Sequence, residues 1–167
     1  SLRLFHAVQF MLATPQATAE DAAATLAGRA FFVEDKLDGI RAQVHKRGDE
    51  VAIFTRTMDR ADESFPEVVA AMKKIAGDFL IDGEIVPFAG EAVSPFGHLQ
   101  RRLGRKRPSA GVLKKYPVKL VAFDLLFLDG EMYLDRPLRE RRTVLEKLAA
   151  RSAGRMEITA IGRVQSA

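Results

Sequence analysis

Phe31-Phe32-Val33-Glu34-Asp35-Lys36-Leu37-Asp38-Gly39-Ile40-Arg41-Ala42-Gln43-Val44-His45-Lys46 is the stretch on which the reading of the fold turns. It reads as two strands, 31–36 and 40–46, joined as a hairpin at Leu37-Asp38-Gly39. Side chains alternate along a strand, so Phe32, Glu34 and Lys36 share one face and Phe31, Val33 and Asp35 the other. Lys36 then stands beside Glu34 just before a tight Asp-Gly turn. A lysine at such an edge reaches into a cleft without being buried. By itself the pattern also fits a surface lysine paired with Glu34 or Asp38.

Working outward, Arg47-Gly48-Asp49-Glu50 turns the chain into a third strand, 51–55, which completes an antiparallel meander. Upstream, Thr18 caps a short Ala-rich helix that Gly28 closes. Downstream, the pattern predicts a helix from Phe65-Pro66 to Ala76, a strand over 79–88 or two short ones about Gly83, and a helix over 94–103. The helix over 94–103 would carry Phe96, Leu99 and Leu103 on one side. A strongly apolar strand, 118–128, ends at Asp129-Gly130. Pro137 starts a helix to Ala150, with Leu138, Val144, Leu145 and Leu148 on its apolar side, and 156–164 reads as a last strand. Hairpins mixed with helices predict an α+β fold, antiparallel sheets flanked by helices.

The 167 residues suffice for one domain with a core, and 47% hydrophobic against 29% charged residues fits a globular chain. No apolar run approaches the roughly 20 residues that span a bilayer, and the N-terminus shows no secretory signal. The absence of cysteine excludes disulfides and thiolate metal sites and is compatible with the cytoplasm. His6, His45 and His98 lack metal-ligand spacing and read as structural or surface residues. The net charge is +4, unevenly placed: from Ala92 to Phe123 there is no acidic residue. That stretch carries Arg101, Arg102, Arg105, Lys106, Arg107, Lys114, Lys115 and Lys119. It is either a solvated basic loop or a surface for phosphates.

The motifs follow one another in order. Lys36-Leu37-Asp38-Gly39-Ile40-Arg41 precedes Phe54-Thr55-Arg56, then Asp82-Gly83-Glu84-Ile85, then Ala122-Phe123-Asp124-Leu125-Leu126. Supporting pieces are Arg41-Ala42-Gln43-Val44-His45, Leu99-Gln100-Arg101-Arg102 and Leu138-Arg139-Glu140-Arg141-Arg142. Together, from about Met11 to Arg163, the series resembles the adenylation domain of ATP-dependent DNA ligases. That resemblance implies a nucleotidyltransferase, ATP-grasp-like fold. It also implies a nucleophilic Lys36 that takes AMP from ATP as a lysyl-AMP intermediate, passes it to the 5′-phosphate of nicked double-stranded DNA and supports sealing by the 3′-hydroxyl. The work implied is DNA repair, replication and recombination by a monomer in a prokaryote-like cytoplasm, associated with the nucleoid.

The resemblance also assigns roles. Glu84 would contact the ribose and serve as a metal ligand, against a strand-edge salt bridge as the plainer reading. Phe123 would stack on adenine, against core packing. Arg41 and Arg56 would lie near nucleotide or nick phosphates. Glu34 would sit beside adenine or pair with a basic neighbour. Arg101, Arg102, Arg105, Lys106 and Arg107 would touch DNA. Asp124, in an apolar run, needs a partner, either structural or a metal-bound water. ATP and Mg2+ are the implied cofactors, the metal offsetting triphosphate charge.

The family's Glu-Gly motif and its C-terminal lysine motifs find no counterpart after Gly130, nor does the OB-fold domain. Residues 1–167 therefore read as a partial, C-terminally truncated adenylation domain, impaired by itself. An RNA ligase or a messenger-RNA capping guanylyltransferase shares the Lys-x-Asp-Gly core. A non-catalytic nucleic-acid-binding fragment is the reading outside nucleotidyl transfer.

Overall fold

The computed structural model describes residues 2–164. In chain order the helices and strands are α1 (Ala19–Thr25), β1 (Phe31–Glu34), β2 (Ile40–Arg47), β3 (Glu50–Thr55), α2 (Pro66–Lys73), β4 (Phe79–Ala89) and β5 (Ala92–Val93). They continue with α3 (Phe96–Gln100), α4 (Ala110–Lys115), β6 (Val118–Leu128), β7 (Glu131–Met132), α5 (Leu138–Ala150), β8 (Glu157–Ile158) and β9 (Ile161–Val164). The chain divides into two compact units. The first joins the segment up to Gln9 with Leu37–Ile158, and the second joins Phe10–Lys36 with the segment from Thr159.

The first unit is built on one sheet. Its strand order is β3-β2-β4-β6-β7, with β5 added to β4 and β8 to β6. All these pairings are antiparallel except β6 with β8. The two long strands β4 and β6 form its spine, as their continuous apolar runs predict. One face carries Ala42, Val44, Ile81, Ile85, Leu120, Ala122 and Leu125. Helices α2 and α5 cover it with Val68, Met72, Leu145 and Leu148, which makes this the main core. Burying each large aliphatic side chain there contributes about 1.5–3 kcal/mol. In α5, Val144 packs against this core while Leu138 stays exposed, so the apolar stripe is narrower than its sequence pattern suggests.

The opposite, outer face is apolar at both ends. At one end residues 2–8 lie against it, with Leu4 among Leu80 and Leu126. Gln43 clamps that segment by accepting the Val8 N–H at 2.9 Å and donating to the Val8 carbonyl at 2.7 Å. At the other end Leu37 packs on Val86, Phe88 and Val121. Polar side chains of β2, β4 and β6 occupy the band between.

β6 is longer than the ladder it serves. Leu80 pairs with Phe127 but Ile81 with Leu125, and Asp82 pairs with Asp124 but Gly83 with Ala122. Leu126 and Phe123 are thus the extra residues of two β-bulges.

The second unit holds α1, capped by Thr18 through its side-chain bond to the Asp21 N–H, and a ribbon of β1 and β9. Here the structure corrects the expected hairpin. β1 pairs antiparallel with β9, from Phe31 opposite Val164 to Glu34 opposite Ile161, whereas β2 pairs with β3 and β4. The strand also stops at Glu34, so Lys36 lies past its end. The physical reason lies in Gly39, which is committed to β4: a Cβ there would lie 2.2 Å from the Ile85 carbonyl oxygen. The Asp-Gly pair is thus a close-packing site rather than a hairpin turn.

Helix 94–103 shortens to α3, with Leu99 buried and Leu103 exposed. The last strand is split into β8 and β9. α4 adds to the elements that the sequence pattern predicts; Ser109 caps it by accepting the Val112 N–H.

Candidate functional site

The polar band on the outer face of the first unit brings three of the expected residues together. On β2 and β4, Arg41 and Glu84 are register partners. The Arg41 guanidinium lies 5.5 Å from the centroid of the Phe123 ring, so Phe123 shares this face. Arg41 also forks onto Asp82, donating from Nη2 at 2.8 Å and from Nε at 3.3 Å. Burial pushes the Asp82 carboxyl above its ordinary range, Arg41 pulls against that, and Asp124 adds to the rise. Asp82, 6% exposed, is therefore a costly carboxylate that Arg41 makes tolerable.

Gly83 explains the Asp-Gly-Glu triplet. A Cβ there would stand 2.6 Å from the Val121 carbonyl oxygen and 3.0 Å from the Ala122 Cα. Only glycine lets β6 approach closely enough to form the bulge at Phe123. That half-buried ring is presented by the bulge and stacked on Arg41, neither solvated nor sunk in the main core.

Glu84 reaches from β4 to the loop ahead of β2. Its Oε1 accepts the Gly39 N–H at 3.2 Å. With Leu37 packed on Val86, Phe88 and Val121, the Leu37-Asp38-Gly39 half of the lysine motif is fixed onto the sheet. Asp38 remains exposed.

In the second unit, Lys36 is exposed. Glu34 accepts a hydrogen bond from the Thr159 hydroxyl. Across the same ribbon, the Arg163 guanidinium lies 5.8 Å from the Phe32 ring centroid. Arg56, in the first unit, is exposed in the turn after β3, a turn closed by the Met58 N–H to the Thr55 carbonyl at 2.8 Å.

The basic segment separates into two kinds of residue. Arg102 departs from the expectation of a DNA contact: it is 1% exposed. Its guanidinium donates to both oxygens of Glu67, to the Ser64 carbonyl at 2.7 Å and to the Tyr116 carbonyl at 3.2 Å. It also lies 5.5 Å from the Phe65 ring centroid. A side chain so enclosed ties the basic segment to α2. Arg101, Arg105, Lys106 and Arg107 are exposed. Arg107 donates to Glu63 at 2.8 Å and holds that carboxyl below its usual range, and Arg105 donates to the Arg101 carbonyl.

Three residues gain a place that the sequence left open. Asp124 finds its partner in Arg141 of α5, through Nε at 2.8 Å and Nη2 at 2.9 Å, and it also accepts the Leu125 N–H at 2.8 Å. Arg141 stood in the last motif of the series without a role of its own. His45, fully buried, accepts the Phe5 N–H on Nδ1 at 3.0 Å and meets the Phe54 ring edge-on.

Among the described residues no three His, Asp or Glu side chains are grouped to hold a metal ion. A hard cation that arrives with phosphate oxygens and water needs few protein ligands, and one carboxylate meets that need. Among the described residues no helix is long and apolar enough to cross a membrane.

The antiparallel sheet flanked by helices is similar to ligase domains of known structure. The ligase domain of LigD from M. tuberculosis is similar with a TM-score of 0.66 at 28% identity, over 83% of this chain and 42% of that one. Mycobacterial DNA ligase D, solved with ATP and MES, is similar with a TM-score of 0.65 at 26% identity, over 79% of this chain and 40% of that one. Residues 10–167 match the family model described as ATP dependent DNA ligase domain, and the chain belongs to that family. A probable DNA ligase of Koribacter versatilis is 46% identical over 93% of this chain and 27% of its own length. A DNA ligase of Sulfophobococcus zilligii is 44% identical over 72% of this chain and 20% of its own. The chain spans about a quarter of the length of these curated relatives.

Proposed function

We propose that this chain is the nucleotide-activating part of an ATP-dependent DNA ligase, with Lys36 as the residue that carries AMP. The observation that carries the reading is the outer face of the first unit. There Arg41, Glu84 and Phe123 lie together, and the loop that follows Lys36 is tied down by the bond from Gly39 to Glu84.

In the first step the deprotonated Nζ of Lys36 attacks the α-phosphorus of ATP. A P–N bond forms, the bond to the β-phosphate oxygen breaks, and pyrophosphate leaves. Phe123 offers the ring face not stacked on Arg41 to adenine, and Glu84 accepts from a ribose hydroxyl. Arg41 and Arg56 supply guanidinium forks for phosphate oxygens. Glu34 lies on the adenine side. Glu84 would be the protein ligand of Mg2+, which would supply charge compensation for the triphosphate and the leaving pyrophosphate.

The AMP then moves to the 5′-phosphate of a nick in double-stranded DNA, freeing Lys36. Attack by the adjacent 3′-hydroxyl expels AMP and closes the strand. Arg101, Arg105, Lys106 and Arg107 form the exposed cationic surface for the DNA backbone.

Incubating the protein with ATP labelled at the α-phosphate and Mg2+ tests this. An acid-labile AMP adduct mapping to Lys36 and missing from Lys36→Ala is expected. Label that persists in Lys36→Ala, or an AMP adduct that maps to another residue, overturns the assignment.

A further inference from the structure

We propose that Arg141, on the helix that covers the opposite side of the sheet, is a positioning residue for the base-stacking ring of Phe123, acting through Asp124. The inference rests on the reading of Phe123 as the adenine platform and deepens it.

Phe123 occupies the extra position of a bulge, since Ala122 and Asp124 on either side pair with adjacent residues of β4. A bulge leaves backbone groups without ladder partners and bends its strand, so its geometry needs an external tie. Asp124 supplies two. Its Oδ1 accepts the Leu125 N–H at 2.8 Å, holding the backbone between the two bulges. Both carboxylate oxygens also receive the Arg141 fork, at 2.8 and 2.9 Å. Arg141 is anchored in turn by donating from Nη1 to the Arg136 carbonyl at 2.6 Å. The pair is only 18% and 19% exposed on its side chains, so solvent screens it weakly.

α5 is itself held by Leu145 and Leu148 in the main core. The ion pair therefore fastens the bulge to a firmly packed helix of the unit. On the same face, Arg41 lies against Phe123 while bound to Asp82, the cross-strand partner of Asp124. The ring is thus set from two sides on one face, by Arg141 through Asp124 and by Arg41. Loss of the Arg141 tie frees the bulge to relax while leaving Arg41 held by Asp82. The signature is a selective loss of base recognition.

The test compares affinities of the chain for ATP and for inorganic tripolyphosphate, which carries the phosphates without the base. Arg141→Met should lower the preference for ATP about tenfold, as Phe123→Leu should, with tripolyphosphate affinity unchanged. Arg141→Lys keeps the charge, loses the fork and should fall between; it also serves if the methionine variant does not fold. If the unmutated chain shows no preference for ATP, the platform reading of Phe123 fails, and this inference with it. If the unmutated chain and Phe123→Leu differ as expected but both Arg141 variants keep the full preference, the platform stands and the positioning role of Arg141 is overturned. An equal loss of both ligands in the Arg141 variants would overturn it too, because that marks a general structural role.

Discussion

Asp82 and Asp124 face each other across β4 and β6, and each is clasped by its own arginine, Arg41 from β2 and Arg141 from α5. Two neighbouring carboxylates in a mostly buried strand pair repel one another, and the flanking guanidinium groups make the arrangement stable. Arg41 accordingly has a structural role on the outer face, beside the role in nucleotide binding proposed for it.

Removing Arg41 should expose that cost. Arg41→Met leaves Asp82 buried without its fork and should destabilise the protein by about 2–4 kcal/mol at neutral pH. Asp82 already has its folded-state carboxyl raised, so its unfavourable contribution is absent below the unfolded value and grows as pH rises through the folded one. The deficit of the variant should therefore shrink on acidification. Urea melts of both proteins at neutral and mildly acidic pH measure it; an equal deficit at both would contradict this role for Asp82.

His45 should produce the opposite pH dependence. Burial, with His6 nearby, lowers its imidazole to about 4. Its folded-state value lies below the unfolded one, so the stabilisation is complete above about 6.5 and is lost as pH falls towards about 4. A shift of that size is worth about 3 kcal/mol. His45→Asn keeps an acceptor for the Phe5 N–H and should flatten the fall in melting temperature over that range.

Arg102 and its exposed neighbours should separate in DNA binding. Arg102→Met should cost about 3–5 kcal/mol of stability through the orphaned Glu67 and the carbonyls of Ser64 and Tyr116. It should leave the salt dependence of DNA affinity unchanged. Replacing Arg101, Arg105 and Lys106 by alanine should lower that slope by about 0.9 for each phosphate no longer neutralised, with little change in stability. Affinities measured across a salt series, beside urea melts, distinguish the two.

Gly39→Ala should impair chemistry more than folding. The added methyl cannot share space with the Ile85 carbonyl, and the neighbouring Val86 and Glu84 side chains crowd the same point. The loop after Lys36 must move, so formation of the AMP adduct should fall far more than the helical content seen by circular dichroism.

The elements legible in the sequence are those whose signals are local. β6 matches its apolar run residue for residue, and α5 begins where Pro137 and Leu138 place it. The ring of Phe123, the carboxylate of Glu84 and the guanidinium of Arg41 fall on one face of the sheet. What stays hidden depends on distant partners. An Asp-Gly pair between two strands looks like a hairpin turn until Ile85 is seen pressing on Gly39. Arg102 reads as one more cation in a basic run, because nothing local tells of Glu67 folding back upon it. Likewise Asp124 announces only that it needs a partner, not that Arg141 provides it.

The bulge at Phe123 has a bearing on how such a chain tolerates change. Ala122 and Asp124 pair with consecutive residues of β4, so the ladder skips over Phe123. A deletion of this single position would leave every cross-strand pair on both sides intact, whereas a deletion at a regularly paired position would throw half the strand out of phase. Architecture and chemistry are thereby uncoupled at one point. The strand's length is policed by its neighbours wherever it is paired, but not at Phe123, the residue proposed as the base platform.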